Sequence, residues 1–241
     1  MNTESEISDK EPIQETVCLI PSYNEEETVG RIAQEAARHP DISRVVVIDD
    51  GSMDRTSEVA GSISGVEVIR LEKNCGKGAA MKAGFSATSE PVVLFLDADL
   101  MGLSKGNITN LLKPVLENEV DMSVGIFRGG RVFTDLAHVV APSLSGQRAV
   151  SRSVFDYLDV ESTGFEIERA LTELWETGAI RVKKVKLHGV THRTKEEKRG
   201  FMEGVKQRLG MFLDIINFER DRLKRRMKAR TDNLESYTIE E

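Results

Sequence analysis

The sequence has few cysteines, few aromatic residues and no long hydrophobic run. Its two cysteines, Cys18 and Cys75, are too few for a disulfide-stapled fold, so a reducing compartment is expected. No apolar run approaches the roughly 20 residues that span a bilayer, and the first fifteen residues are too polar and acidic for a signal peptide. We therefore expect a cytoplasmic protein, and its 241 residues are enough to bury a substantial core.

Positive charge is scarce in most of the chain but not at its C-terminal end. The net charge is -7, yet residues 181–230 contain 17 Lys and Arg against 6 Asp and Glu. This basic segment has two interpretations: a solvated helical face, or a surface that holds an anionic acceptor, a membrane or a partner protein. We expect no nucleic-acid partner, since the rest of the chain is acidic.

Apolar strand-like runs alternate with helical stretches, which predicts an α/β fold with a mostly parallel sheet flanked by helices. Strands are expected at 17–21, 44–48, 66–70, 121–126 and 180–187, with another that ends at Asp97. Helices are expected at 25–38, 77–88, 105–118 and 164–176, with another that begins near Asp54 and is capped by its carboxylate, and a long basic amphipathic helix at 196–230.

Two carboxylates, Asp97 and Asp99, follow the apolar run at 91–96. A strand that delivers two carboxylates to the loop at its carboxyl end builds a site for a hard cation, and such a site suits a diphosphate. Taken alone, the pattern also fits solvated loop residues or helix caps. Two earlier runs, 17–26 and 45–56, are likewise strands that end in polar residues.

Together these three segments resemble the family 2 glycosyltransferases, whose GT-A fold binds a nucleotide sugar over a short parallel sheet. The resemblance implies a metal-dependent hexosyltransferase with a nucleoside-diphosphate-sugar donor, in the first place a UDP-sugar. In this interpretation Asp97 is catalytic, and the donor-binding residues are Pro21, Ser22, Tyr23, Glu25, Asp50, Lys77, Asp97, Ala98 and Asp99. Pro21 fixes the chain direction as it leaves the first strand, and Tyr23 can pack on the base.

Lys77 lies in a glycine-rich run, 74–78, that does not match the P-loop pattern, so ATP hydrolysis is not predicted. The helix dipole does not favour a lysine at the start of a helix, because helix N-termini prefer anions. This favours a functional interpretation in which Lys77 is a point charge on a diphosphate.

His192 follows a predicted strand and is surrounded in sequence by basic residues. Such surroundings are expected to keep an imidazole neutral and free to bind a metal, with His188 as the competing ligand. Asp99 and His192 together with phosphate oxygens favour Mn²⁺, and Mg²⁺ remains an alternative.

The second half resembles the glucosyl-3-phosphoglycerate synthases, which are retaining relatives. The resemblance is carried by the segments 130–134, 145–149, 164–167 and 191–193. It implies that Asp99 and His192 bind the metal, that Glu166 lies beside the donor as a catalytic residue, and that the acceptor is a small anion such as 3-phosphoglycerate. The implied acceptor-binding residues are Gly130, Arg131, Thr134 and Gly146.

Several alternatives remain open. An inverting enzyme needs a base, for which Glu166 or Glu168 is suitable, whereas a retaining enzyme would use Glu166 to orient the sugar. The acceptor is alternatively a polyprenyl phosphate, in which case the helix at 196–230 would make a peripheral contact with the membrane surface. A non-catalytic nucleotide-binding module is a further alternative. The favoured role of that helix is core packing or the seam of a homodimer.

These interpretations divide the chain into five parts. They are a disordered tail at 1–15, a nucleotide-sugar donor-binding half at 16–128, an acceptor-binding half at 129–195, the basic helix at 196–230 and a disordered tail at 231–241.

Overall fold

The structure covers most of the two predicted halves of the chain. The computed structural model describes residues 15–128, 146–158 and 167–192. The basic helix predicted at 196–230 lies outside the described residues, as do the C-terminal tail and nearly all of the N-terminal one. The predicted acceptor residues Gly130, Arg131 and Thr134 and the predicted catalytic residue Glu166 also lie outside them.

Nine strands are described, and each predicted strand is among them. In chain order they are β1 (Thr16–Ser22), β2 (Arg44–Asp49), β3 (Val66–Arg70), β4 (Val92–Phe95), β5 (Leu100–Met101), β6 (Met122–Arg128), β7 (Arg148–Ser151), β8 (Val182–His188) and β9 (Thr191–His192). The helices are α1 (Val29–Ala37), α2 (Thr56–Gly61), α3 (Lys77–Ser86), α4 (Lys105–Leu116) and α5 (Ile167–Thr177), with a 3₁₀ helix at Arg152–Tyr157.

Seven strands form one sheet in the order β3-β2-β1-β4-β7-β6-β8, and β5 pairs with β9 in a separate two-stranded sheet. Strand β7 runs antiparallel to both of its neighbours, whereas the other described pairings of the main sheet are parallel. The mostly parallel sheet flanked by helices is the predicted fold class. None of the described helices has the length and apolarity needed to cross a bilayer.

Both faces of the central strands are buried, which explains why they appear in the sequence as continuous apolar runs. Within β1, Val17 and Leu19 pack in one core cluster, whereas Cys18 and Ile20 pack in the other. Burial raises the pKa of the Cys18 thiol, so this cysteine is a packing residue.

Helix α1 begins at Val29, four residues later than predicted, because the preceding backbone is held by the β2–α2 loop. The backbone N–H of Glu25 donates to the Thr56 hydroxyl at 2.8 Å, and that of Glu26 donates to the Asp54 carboxylate at 3.2 Å. Asp54 also accepts a hydrogen bond from the Thr56 N–H at 2.9 Å. Its carboxylate thus satisfies the first backbone N–H of α2, although the helix begins two residues after Asp54. These contacts fix the β1–α1 and β2–α2 loops to each other.

Candidate active site

The candidate site lies where β1, β2 and β4 end. These strands are parallel, so their carboxyl ends meet at the same edge of the sheet, and the loops that follow them lie together. The polar residues predicted from the sequence occupy these loops. The edge is therefore the position at which open α/β sheets bind ligands.

Asp97, Asp99 and His192 converge at this edge. One ligand atom from each lies within 4.8 Å of the ligand atoms of the other two. The His192 ring places Nδ1 2.9 Å from Asp99 Oδ1 and Nε2 3.9 Å from Asp97 Oδ2. The convergence results from the pairing of β5 with β9, because Leu100 lies opposite His192 in that register.

The surroundings of His192 differ from those predicted. Burial lowers its pKa, but the hydrogen bond that the ring donates to Asp99 and the charges of Asp99 and Asp97 outweigh burial, so the pKa is raised above its ordinary value. The predicted cationic surroundings are therefore not those of the described structure, in which both ion-pair partners of the ring are carboxylates. The nearest groups in space are carboxylates, which a sequence of basic neighbours does not reveal. His188, the competing candidate, is exposed and is not part of the cluster.

Lys77 connects the cluster to helix α5. Its ammonium group lies 2.6 Å from Asp97 Oδ1 and 2.8 Å from Glu168 Oε1. Burial lowers the pKa of Lys77, but the two carboxylates more than compensate and raise it. Burial likewise raises the pKa of Asp97, and the charges of Lys77 and His192 lower it below its ordinary value. Lys77 and Asp97 are therefore both charged.

Gln147 and Arg148, which lie in the segment 145–149 that carries the resemblance, make contacts that the sequence did not predict. Gln147 is fully buried, and its Nε2 donates to Asp97 Oδ2 at 2.6 Å. The buried guanidinium of Arg148 donates to the Glu168 carbonyl oxygen at 3.3 Å and to the Thr172 hydroxyl at 3.1 Å. Arg148 therefore holds the start of α5, which carries Glu168, against the sheet.

Gly146 lies directly against the charged groups of the site. A Cβ atom on this residue would lie 2.6 Å from Asp97 Oδ2 and 2.7 Å from Lys77 Nζ, both closer than real Cβ contacts. The position therefore excludes any side chain while Asp97 and Lys77 keep their present places.

The substitution Gly146→Ala should lower activity strongly while changing stability little. The added methyl group meets the ends of the Asp97 and Lys77 side chains, which can move aside, so the core is not disturbed. Both side chains belong to the site, so their displacement should impair its function. We expect a loss of turnover of about 100-fold, since misplacement of reacting groups by about 1 Å costs this much. Rates of the sugar transfer that the resemblance implies and thermal melting curves measure the two effects, with Gly106→Ala as control because its Cβ would meet nothing closer than 3.9 Å. If the melting temperature falls so far that Gly146→Ala is largely unfolded at the assay temperature, the prediction is contradicted.

The predicted donor-binding residues in the first two loops have different surroundings. Asp50 is buried, and its carboxylate accepts hydrogen bonds from the N–H groups of Cys75 and Gly76, both at 2.8 Å. Asp50 thus holds the loop that leads into α3 and Lys77. Pro21, Ser22 and Ala98 are buried, Glu25 is half-buried, and Tyr23 is exposed with 40% of its surface accessible.

Comparison with known proteins identifies the family. The sequence profile described as Glycosyl transferase family 2 matches residues 17–165, which is more than half of the chain. The chain belongs to glycosyl transferase family 2. The prediction from the sequence is thereby confirmed, and the mostly parallel sheet with its flanking helices is the GT-A fold of that family.

Several curated relatives have names that include a polyprenyl or dolichyl phosphate. The chain is 30% identical over 126 residues to dodecaprenyl-phosphate galacturonate synthase of Rhizobium johnstonii, covering 48% of this chain and 37% of the relative. It is 38% identical over 104 residues to human dolichyl-phosphate beta-glucosyltransferase, covering 36% of this chain and 32% of the relative. The chain spans about half or less of the length of the curated relatives it matches.

Among solved structures, the chain is similar to glucosyl-3-phosphoglycerate synthase from Mycobacterium tuberculosis. The structure of that enzyme in complex with Mn²⁺, UDP and glucosyl-3-phosphoglycerate has a TM-score of 0.60 and 25% sequence identity, and the match covers 75% of this chain and 72% of that one. A structure of the same enzyme with Mg²⁺ and UDP matches equally well, with 26% identity. The resemblance predicted for the second half is confirmed at the level of the fold.

Proposed function

We propose that this chain is a metal-dependent glycosyltransferase that moves a sugar from a UDP-sugar to a small phosphorylated or carboxylated acceptor. The observation that carries this proposal is the convergence of Asp97, Asp99 and His192 at the carboxyl edge of the sheet, with Lys77 beside them. A diphosphate needs several positive charges around it, and this edge provides one ammonium group and a set of metal ligands.

The residues present fit a divalent cation. Two carboxylates and one imidazole within 4.8 Å form a mixed oxygen and nitrogen donor set, which suits Mn²⁺ and also accepts Mg²⁺. Asp99 and His192 would hold the ion, with Asp97 as the second carboxylate. When bound, the ion supplies positive charge to the leaving diphosphate oxygens.

Lys77 and Glu168 have complementary roles in this proposal. Lys77 is already close to the cluster and supplies a second positive charge to the leaving nucleoside diphosphate. Glu168 contacts the same ammonium group as Asp97, so its carboxylate is close enough to the cluster to orient the transferred sugar or to accept the proton of the acceptor hydroxyl. We therefore assign to Glu168 the role that the sequence interpretation gave to Glu166, a residue outside the described part of the chain.

Two observations support a small anionic acceptor. The solved structures of glucosyl-3-phosphoglycerate synthase include one in complex with phosphoglyceric acid, and that match covers 75% of this chain. The sequence also contains Arg131 after two glycines, and a guanidinium group can bind a phosphate or carboxylate in a bidentate manner. Gly130 and Thr134 are assigned to the same acceptor site.

A lipid phosphate is the second candidate acceptor. It is favoured by the curated relatives, several of which are named as polyprenyl-phosphate or dolichyl-phosphate enzymes. The phosphate of such a lipid would satisfy Arg131 equally well. The basic character of residues 181–230 supports a contact with an anionic membrane surface.

Initial rates with the two acceptors test the proposal. We expect transfer from UDP-glucose with Mn²⁺ to 3-phosphoglycerate, and no transfer to undecaprenyl phosphate in detergent. The substitution Arg131→Lys should raise the acceptor KM about tenfold or more, because it loses the paired hydrogen bonds, and should leave donor hydrolysis unchanged. Arg55→Lys, an exposed change, is the control.

Transfer to the lipid alone would replace the first candidate by the second. An absence of transfer to either acceptor, with a panel of nucleotide sugars and with both metals, would contradict the proposed activity.

A further inference from the structure

The turn that brings His192 to the site is held by a buried side chain of helix α4. Asn107, which is 4% exposed, donates a hydrogen bond from Nδ2 to the carbonyl oxygen of His188 at 3.3 Å. Its Oδ1 accepts a hydrogen bond from the N–H of the same residue at 3.1 Å. One side chain thus satisfies both backbone groups at the last residue of β8.

This arrangement is equivalent to a short piece of strand pairing. A carboxamide carries the same donor and acceptor as a peptide group, so Asn107 provides the partner that a neighbouring strand would otherwise give. Among the described strands, β8 is at the edge of the sheet, so only one described strand, β6, pairs with it. Because α4 packs on the sheet through buried residues such as Ile108 and Leu111, it gives the carboxamide a rigid base.

The held residue is close in sequence to His192. After His188 the chain turns at Gly189, which has a φ of 70°, and Thr191 and His192 then form β9. The turn also contacts the loop that follows Asp99, since a Cβ atom on Gly102 would lie 2.2 Å from the Gly189 carbonyl oxygen. The position of this turn therefore determines where the imidazole lies relative to Asp99.

We propose that Asn107 is a positioning residue for the metal site, which sets metal affinity by fixing the β8–β9 turn and with it His192. The inference depends on the proposed metal-binding function. Residues that orient metal ligands without touching the metal commonly change affinity by about 10- to 100-fold when they are removed.

The test is the affinity of the full chain for Mn²⁺ in the presence of UDP, measured from the free Mn²⁺ signal in electron paramagnetic resonance. Asn107→Ala should weaken Mn²⁺ binding about tenfold or more and speed amide hydrogen exchange at residues 188–192. Asn107→Asp keeps the acceptor for the His188 N–H, so its loss should be smaller. The control is Ser123→Ala, because the buried Ser123 hydroxyl donates to the Leu111 carbonyl oxygen of the same helix at 2.5 Å but does not touch the turn.

Each outcome has a distinct meaning. If Asn107→Ala is folded and binds Mn²⁺ as tightly as the wild type, the positioning role is wrong while the metal site stands. If Ser123→Ala weakens Mn²⁺ binding as much as Asn107→Ala, the effect is a general loss of stability and the inference is also wrong. If the wild-type chain binds no Mn²⁺ with UDP, the proposed metal site itself fails, and the inference fails with it.

Discussion

Replacing Asp99 with alanine should abolish metal-dependent sugar transfer and weaken the binding of Mn²⁺ by far more than tenfold. Asp99 contributes one of the two carboxylates of the cluster, and its Oδ1 lies 2.9 Å from His192 Nδ1. The substitution therefore removes one proposed ligand and also releases the imidazole that this ligand orients. Turnover should fall by several orders of magnitude, because the leaving diphosphate loses the charge that stabilises it.

Calorimetric titration of Mn²⁺ and UDP into the wild type and into Asp99→Ala measures the loss. The control is Asp156→Ala, which removes the same charge from an exposed position on the 3₁₀ helix, outside the cluster. Its affinity should equal that of the wild type. Unchanged Mn²⁺ binding in Asp99→Ala would mean that this carboxylate is not a ligand.

The central strands and their polar ends could be predicted because a parallel sheet covered on both faces requires continuous apolar runs. Strands β1, β2 and β4 are such runs, and the sites at their carboxyl ends follow from topology alone. The sequence thus identified Asp97, Asp99 and His192 as candidates, and the structure brings them together.

The contacts from β7 and the β5–β9 pair could not be predicted in the same way. Strand β7 has four residues, and one of them is Arg148, a charged residue that no hydropathy pattern would place in the core. It is tolerated there because its guanidinium finds partners on α5, and the orientation of that helix is a property of the tertiary fold. Two-residue strands such as β5 and β9 have too few residues for any periodicity to appear.

The error about His192 has the same origin. Its sequence neighbours are basic, but β9 places the imidazole against carboxylates that are more than 90 positions away along the chain. Electrostatic surroundings depend on distance in space, not along the chain, and a carboxylate at 2.9 Å acts strongly on the imidazole.

The substitution Lys77→Met should have two opposite effects, a large fall in turnover and a rise in the affinity for Mn²⁺ without nucleotide. The Lys77 ammonium lies 2.6 Å from Asp97, so it competes with a metal ion for the carboxylate and repels the ion. The substitution leaves the Asp97 and Glu168 carboxylates without the ammonium group that both contact, which favours a divalent ion. Turnover should nevertheless fall about 100- to 1,000-fold, since the leaving diphosphate loses one of its positive partners.

Electron paramagnetic resonance of Mn²⁺ without nucleotide, together with initial transfer rates, separates the two effects. Lys113→Met is the matched control: it removes the same charge from α4, where Lys113 pairs with Glu117 at 3.6 Å, and it should change neither quantity. Weaker Mn²⁺ binding in Lys77→Met would mean that the lysine supports the cluster by orienting Asp97 instead of competing for it. Unchanged turnover would remove Lys77 from the proposed mechanism. If its ammonium group lay beside the leaving diphosphate in the transition state, removing it would have to change the rate.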